Sequence, residues 1–185
     1  MMTEISLNIL DVAQNSVRAK ANLLKIGVVA DTKQDTLTVV IQDDGCGMSE
    51  EQVKKVIDPF FTTRTTRKIG LGIPFFKFAA ESTGGSFDIK SQIGVGTVVT
   101  AVFGLSNIDR MPLGDMTSTI HMLVTQNPKM DLVYTYKIDE MEFILDTHEM
   151  REILGDVSFD TPEVSNYIKE FLSENKSEVD QGTAI

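Results

Sequence analysis

Three short glycine clusters, each set where a regular element begins or ends, constrain this chain more than any other feature. Asp43-Asp44-Gly45-Cys46-Gly47 follows a strand directly, Gly70-Leu71-Gly72 opens a helix, and Gly94-Val95-Gly96-Thr97 turns one strand into the next. Glycine reaches positive φ without penalty and lets another group lie against bare backbone. The elements between the clusters follow from periodicity. Residues 6–20 set Leu7, Leu10, Ala13, Gln14 and Val17 at helical spacing, with Ser6 as the expected N-cap. Residues 23–30 and 36–43 read as two strands joined by a turn at Asp31 to Asp35. Ser49 opens a short helix over 49–57. Residues 58–69 carry Thr and basic residues without an apolar period and read as a loop. A helix over 73–83 stops at Gly84-Gly85. Strands follow at 86–91 and 97–103.

Beyond this point the chain divides more easily than it explains itself. Pro112 to Asp115 lead into a helix over 115–126, which Asn127-Pro128 breaks. Residues 131–138 and 140–147 form a hairpin around Asp139. A helix at 148–154 ends at Gly155, and Pro162 starts a last helix over 162–174. The polar tail from Glu174 is expected to fray. Six methionines between Met111 and Met150 read either as core filler or as an adaptable binding surface.

The chain's 185 residues allow one domain, or one domain with an appendage: 1–105 and an acidic extension over 106–185. No run of about 18 apolar residues is present, so no membrane span is expected. The start does not resemble a signal peptide, and the single Cys46 fits a reducing, cytoplasmic setting. The net charge of −10 lies in one half. Residues 1–104 carry 11 Lys+Arg against 11 Asp+Glu, whereas residues 105–185 carry 6 against 16. Such a chain is a poor nucleic-acid binder, because phosphates need clustered Lys and Arg. The acidic half is either a solvated surface or a docking face for a basic partner.

The clusters suggest chemistry when each is taken by itself. Asp43, at a strand end, could accept a hydrogen bond from an exocyclic amine such as N6 of adenine; it could equally belong to an acidic turn. Backbone N–H groups at a helix start favour phosphate, but a lone G-x-G is weak, and the segment is neither a Walker A loop nor a G-x-G-x-x-G fingerprint. Gly94 to Thr97 alone is a hairpin turn.

Order and spacing add more. Leu10-Asp11-Val12-Ala13-Gln14-Asn15-Ser16-Val17-Arg18-Ala19-Lys20-Ala21, then Asp43-Asp44-Gly45-Cys46-Gly47-Met48, Asp58-Pro59-Phe60-Phe61-Thr62-Thr63, Gly70-Leu71-Gly72-Ile73 and Gly94-Val95-Gly96-Thr97 form five boxes in sequence. From about residue 6 to 104 the chain resembles the ATP-binding domain shared by histidine kinases, type II topoisomerases, heat-shock chaperones and mismatch-repair ATPases. The resemblance implies the Bergerat-type fold, an α+β two-layer sandwich with helices on one face of a mixed sheet, here with a small C-terminal α+β extension. It implies ATP and Mg²⁺ as ligands. Asn15 would ligate Mg²⁺ together with the phosphates. Asp43 would accept from the adenine amine, with Thr97 supporting an ordered water. Gly45 and Gly47 would make room for the base, and Met48 would pack on it. Gly70, Leu71 and Gly72 would offer N–H groups to the phosphates, and Arg18 a cation. Arg64 and Arg67, in the lid segment with Lys68, would clamp the γ-phosphate; otherwise they are solubilising loop charge.

Three departures from the family pattern bear on activity. Asp11, one helical turn before Asn15, stands where many members carry Glu, and its shorter side chain must still reach the attacking atom. It is read as a catalytic base, an outer-shell Mg²⁺ ligand or a plain helix carboxylate. Only a few residues precede the first box, so the phosphoacceptor-dimerisation module is expected to be missing. His148 echoes a phosphoacceptor box from the wrong side of the domain, and His121 reads as structural. The lid, about ten residues from Phe60 to Gly70, is short. The compact anti-sigma-factor kinases are similar in architecture. The expectation is a Mg-ATP-binding signalling protein of the histidine-kinase-like class, acting on or with a protein: a response regulator, a sigma-related factor or a separate phosphoacceptor. A homodimer stays open. So do two rivals, an ATPase whose hydrolysis drives lid closure or dimerisation, and a nucleotide sensor without turnover.

Overall fold

Strict alternation in two neighbouring segments sets the centre of the sheet. In β1 (Leu23–Asp31) the side chains of Leu24, Ile26, Val28 and Ala30 are buried, and in β2 (Thr36–Asp43) those of Leu37, Val39 and Ile41. The side-chain period of a strand is two, so each set lies on one face. The antiparallel register sets Ile26 opposite Ile41 and Val28 opposite Val39, which puts both sets on the same face. A computed structural model describes residues 2–59, 71–183 and 185 of the chain. Its sheet has six strands in the order β3-β4-β2-β1-β5-β6, with β3 at Ser86–Gln92, β4 at Gly96–Gly104, β5 at Asp131–Ile138 and β6 at Met141–Asp146. Every neighbouring pair is antiparallel except β1 and β5, which run parallel from Leu23↔Asp131 to Ala30↔Ile138.

The buried face continues through Val99, Ala101 and Phe103 of β4, Tyr134 and Tyr136 of β5, and Phe143 and Leu145 of β6. Each such side chain contributes about 1.5–3 kcal/mol by leaving water. The helices α1 (Ile5–Arg18), α3 (Gly72–Glu81), α4 (Met116–Gln126) and α6 (Pro162–Asp180) bury apolar stripes in that same core. The short helices α2 (Glu50–Ile57) and α5 (Thr147–Leu154) complete the layer. The fold is thus an α+β two-layer sandwich on a mixed sheet. The hairpin β5–β6, with α4, α5 and α6, extends the sheet from the β1 edge.

Two local expectations are corrected. Ser6 is not the cap of α1. The N-cap is Glu4, which makes no side-chain cap bond, and the Ser6 hydroxyl is buried in the first turn, donating to Oε2 of Glu4. The N–H groups of Ile5 and Ser6 are instead taken by the carbonyls of Pro112 and Leu113. The last helix does not fray at Glu174. It runs on to Asp180, because Val179 is buried and Asp180 accepts from both the Tyr136 hydroxyl and Lys176. The methionines divide. Met116 and Met130 are buried, while Met122 and Met141 are over a third exposed.

Candidate functional site

Helix α1 supplies the first wall of the site. Its buried stripe of Ile5, Ile9, Val12, Ala13 and Ser16 faces the sheet. That orientation leaves Asp11, Asn15 and Arg18 on the flank. Ser16 is the one polar member of the stripe's C-terminal end, and it is only 2% exposed. Its hydroxyl donates to Oδ2 of Asp43 at 2.6 Å, while Oδ1 of Asp43 accepts the N–H of Gly45 at 2.9 Å. The carboxylate at the end of β2 is therefore held from two sides. Each carboxylate oxygen has a second lone pair, so Asp43 can still accept from a ligand.

Asp43 pairs in register with Thr97 on β4. The Thr97 and Ser91 hydroxyls lie 2.8 Å apart, and Ser91 also receives the N–H of Met48 at 2.8 Å. Between α1, β2 and β4 lies a cavity of about 260 Å³. Val12, Ile41, Ile73, Val99 and Met48 give it apolar walls, with Asp43, Thr97, Asn15 and Arg18 as its polar points. A mostly apolar slot with one fixed acceptor suits a flat heteroaromatic ring bearing an amine.

The glycines of the first and last clusters answer to the chain's own contacts. A β-carbon on Gly45 would come within 2.7 Å of the Ala19 side chain. Gly47 has φ +67°, and a side chain there would run into the backbone carbonyl of Gln92. Gly96 has φ +134°, and a side chain there would meet the backbone of Asp43. The Cys46 N–H donates to Ala19 and its carbonyl accepts from Gly94, so the loop is clamped between α1 and the β3–β4 turn. Gly47 lines the cavity; Gly45 does not.

Asn15 and Arg18 meet at the rim. Nη1 of Arg18 donates to Oδ1 of Asn15 at 2.9 Å, along one turn of α1. That amide oxygen is the atom expected to face Mg²⁺. A hard cation that keeps several waters needs only one or two protein oxygens. Among the described residues no three His, Cys, Asp or Glu side chains gather as a metal cage. The residues present fit an ion that would be held chiefly by phosphate and water, with the Asn15 amide oxygen at the rim.

Asp11 stands against the start of α3, where a β-carbon on Gly72 would collide with its carboxylate. It is not part of the cavity wall. Leu71, the N-cap of α3, is 42% exposed, and Gly72 begins the helix. Pro74 has no N–H to offer, so Gly72 and Ile73 supply the amides of this first turn that make no bond within the helix. Arg64, Arg67 and Gly70 lie outside the described residues. Of the histidines, Nε2 of His121 meets Ser165 of α6 at 2.8 Å in a structural contact, and His148 is on the exposed face of α5 beside Asp131 and Glu152. Ser16 is the site residue the sequence reading missed. Its signal is a hydroxyl one turn after Val12 and two turns after Asn8, on the buried face of α1.

Comparison with known proteins gives a consistent picture. The model of a family described as histidine kinase-, DNA gyrase B-, and HSP90-like ATPase matches residues 2–107. The C4-dicarboxylate transport sensor protein DctB of Pseudomonas aeruginosa is 31% identical over 99 residues, which cover 53% of this chain and 16% of that protein. The sensor protein SrrB of Staphylococcus aureus is 31% identical over 101 residues, covering 52% of this chain and 17% of that one. The chain spans less than a fifth of the length of these curated relatives. Among solved structures, the N-terminal domain of a DNA repair protein superposes with a TM-score of 0.51 at 12% identity, over 78% of this chain and 53% of that chain, a likeness of fold.

Proposed function

This chain belongs to the family of histidine kinase-, DNA gyrase B- and HSP90-like ATPases, and from that premise we propose that its ATP-binding domain works with Mg²⁺ in signal transduction, acting on or with a protein partner. The observation that carries this reading is the cavity beside Asp43. Its carboxylate is held by Ser16 and Gly45, Thr97 stands across the ladder, and Asn15 and Arg18 stand at the rim.

In this reading Asp43 accepts the adenine amine while Met48, Ile41 and Val99 flank the ring. Gly72 and Ile73 offer N–H groups toward the phosphates, and Arg18 adds positive charge. Mg²⁺, held by Asn15 and the phosphate oxygens, would neutralise charge on the transferring group. Asp11 would take the proton of the attacking group, a partner's side chain or water. Its position against Gly72 at the start of α3 supports that role, since it stands beside the amides expected to hold phosphate. The kinship with sensor proteins such as DctB and SrrB supports a response regulator or a separate phosphoacceptor as partner. No helix among the described residues is long and apolar enough to cross a membrane.

The test follows label from the γ-phosphate of ATP in the presence of Mg²⁺. Label appearing on protein, and lost in Asp11→Asn, identifies a kinase; label released as phosphate, with the same loss, identifies an ATPase. Asp11→Asn at full activity removes Asp11 from the chemistry. Bound nucleotide that keeps its label identifies a sensor. Failure of the protein to bind ATP at all would sink the proposal.

A further inference from the structure

The sheet edge farthest from the cavity carries a second concave surface. β6 is the outer strand beyond β5, and α5 and α6 flank it, leaving a groove of about 370 Å³. Two large apolar side chains stand open in it: Ile153 is 85% exposed and Tyr167 56%. Single exposed apolar residues are ordinary. Two in one groove, backed by Met150, Leu154 and Phe171, mark a surface that gains by being covered.

The groove is also rimmed with negative charge. Asp146 and Glu149 line it. On α6, Glu163 and Glu170 fall four before and three after Tyr167, and Glu174 three after Phe171, so all three exposed carboxylates follow the same flank. Two cations of α5 and α6 are engaged elsewhere, and Lys169 of α6 lies toward Asp115 at the start of α4. Arg151 is turned to the Pro128 and Met130 carbonyls and to Asp131, and Lys176 to Asp180. A second copy of the chain would bring the same carboxylates against these, so like charge disfavours self-association here.

We propose that the groove between β6, α5 and α6 docks a basic amphipathic segment of a protein partner. Apolar side chains of that segment cover Ile153, Tyr167 and Phe171, and its Lys and Arg meet Glu149, Glu163, Glu170 and Glu174. This surface stands apart from the nucleotide site, which is built from α1, β2 and β4 with β1 and β5 intervening in the sheet. It therefore stands or falls independently of the nucleotide reading.

The test is fluorescence anisotropy of a labelled amphipathic helical peptide made only of Leu and Lys, titrated with the full chain. The double variant Ile153→Asp/Tyr167→Ser and the charge reversal Glu149→Lys/Glu170→Lys should each weaken binding by roughly tenfold or more. Ile108→Asp, at a 96% exposed position outside the groove, should leave the affinity unchanged. Binding should also fall as salt rises. Ile153 and Tyr167 are exposed, and a thermal melt of each variant confirms that it is folded. Three results overturn the proposal: no binding by the wild type, equal loss in Ile108→Asp and the groove variants, or equal binding of a Leu/Glu peptide. Dimerisation in sedimentation that Ile153→Asp abolishes would assign the groove to a second copy and overturn it as well.

Discussion

The hydroxyl of Ser16 donates to Oδ2 of Asp43 across 2.6 Å and ties the last turn of α1 to the end of β2. Helix and strand are joined at the carboxylate proposed to recognise the base. Asp43→Ala should lower ATP affinity by roughly 10- to 100-fold, the worth of a hydrogen bond to a charged group. Ser16→Ala keeps the carboxylate but frees one side of it, so a smaller loss is expected, roughly three- to tenfold. Calorimetric titration with ATP separates the two. Wild-type affinity in Ser16→Ala would show that Gly45 alone orients the acceptor.

The Asn15–Arg18 bond predicts a division of labour along the nucleotide. Asn15→Ala should abolish the part of ATP affinity that Mg²⁺ adds, and leave binding in chelator intact. Arg18→Ala should weaken ATP more than ADP, and leave adenosine unchanged, since a cation at the rim acts on the phosphates. Titration with the three ligands, with and without Mg²⁺, reads both effects. Equal losses for adenosine and ATP would mean that Arg18 supports the fold of the cavity instead of the phosphates.

Two glycines of one turn should differ in cost. Gly94→Ala meets open space and pays only for φ +77°, about 1 kcal/mol. Gly96→Ala adds a collision with the backbone of Asp43 to φ +134°, so its cost should exceed the roughly 1–3 kcal/mol of backbone strain alone. Denaturant melts give the stabilities. ATP affinity should fall in Gly96→Ala and hold in Gly94→Ala, because only the first displaces Asp43.

What the sequence made legible was what neighbouring residues decide. The capping box of α2 was readable because both of its partners, Ser49 and Gln52, lie within one turn. Strands β1 and β2 were readable because one face of each is buried and alternates. The start of α1 was not, because its amides are satisfied by Pro112 and Leu113, about a hundred residues away. The end of α6 was misjudged because its last turn is polar except for Val179, and the bond from Tyr136 to Asp180 joins residues 44 apart. At the site, the boxes named Asn15, Asp43 and Thr97, which the fold sets around one cavity. Asp11 against Gly72 and Ser16 beneath Asp43 are contacts between elements, which local spacing does not encode.

Alkaline pH should expose the two buried phenols of β5. Burial pushes both Tyr134 and Tyr136 above the ordinary tyrosine pKa of 10.0, and for Tyr136 the hydrogen bond to Asp180 adds to it. The folded state holds these protons more tightly than the unfolded chain. Their contribution is therefore complete below pH 10 and lost as pH rises above it, at about 1.4 kcal/mol per pH unit for each phenol. Tyr134→Phe and Tyr136→Phe should each flatten this decline. At pH 7 they should differ. Tyr136→Phe leaves Oδ1 of Asp180 without its donor, though Lys176 keeps Oδ2, and costs stability, whereas the Tyr134 hydroxyl is buried without a partner among the described residues, so its removal should be neutral or stabilising. Thermal melts across pH 7–11 test both statements.

The parallel pairing of β1 with β5 has a consequence for how the chain comes into being. β1 emerges early in synthesis, yet the strand that closes its open edge begins at Asp131, about a hundred residues later. Until then β1 is an unpaired border of β3-β4-β2-β1, with its backbone donors and acceptors free to recruit any extended segment nearby. Strands so far apart in sequence also pair slowly, since the intervening loop must close first. The hairpin β5–β6 thus acts as a late-arriving chaperone within the same polypeptide. A ribosome-bound or truncated chain ending near residue 107 would carry every glycine box and still be the species most prone to aggregate.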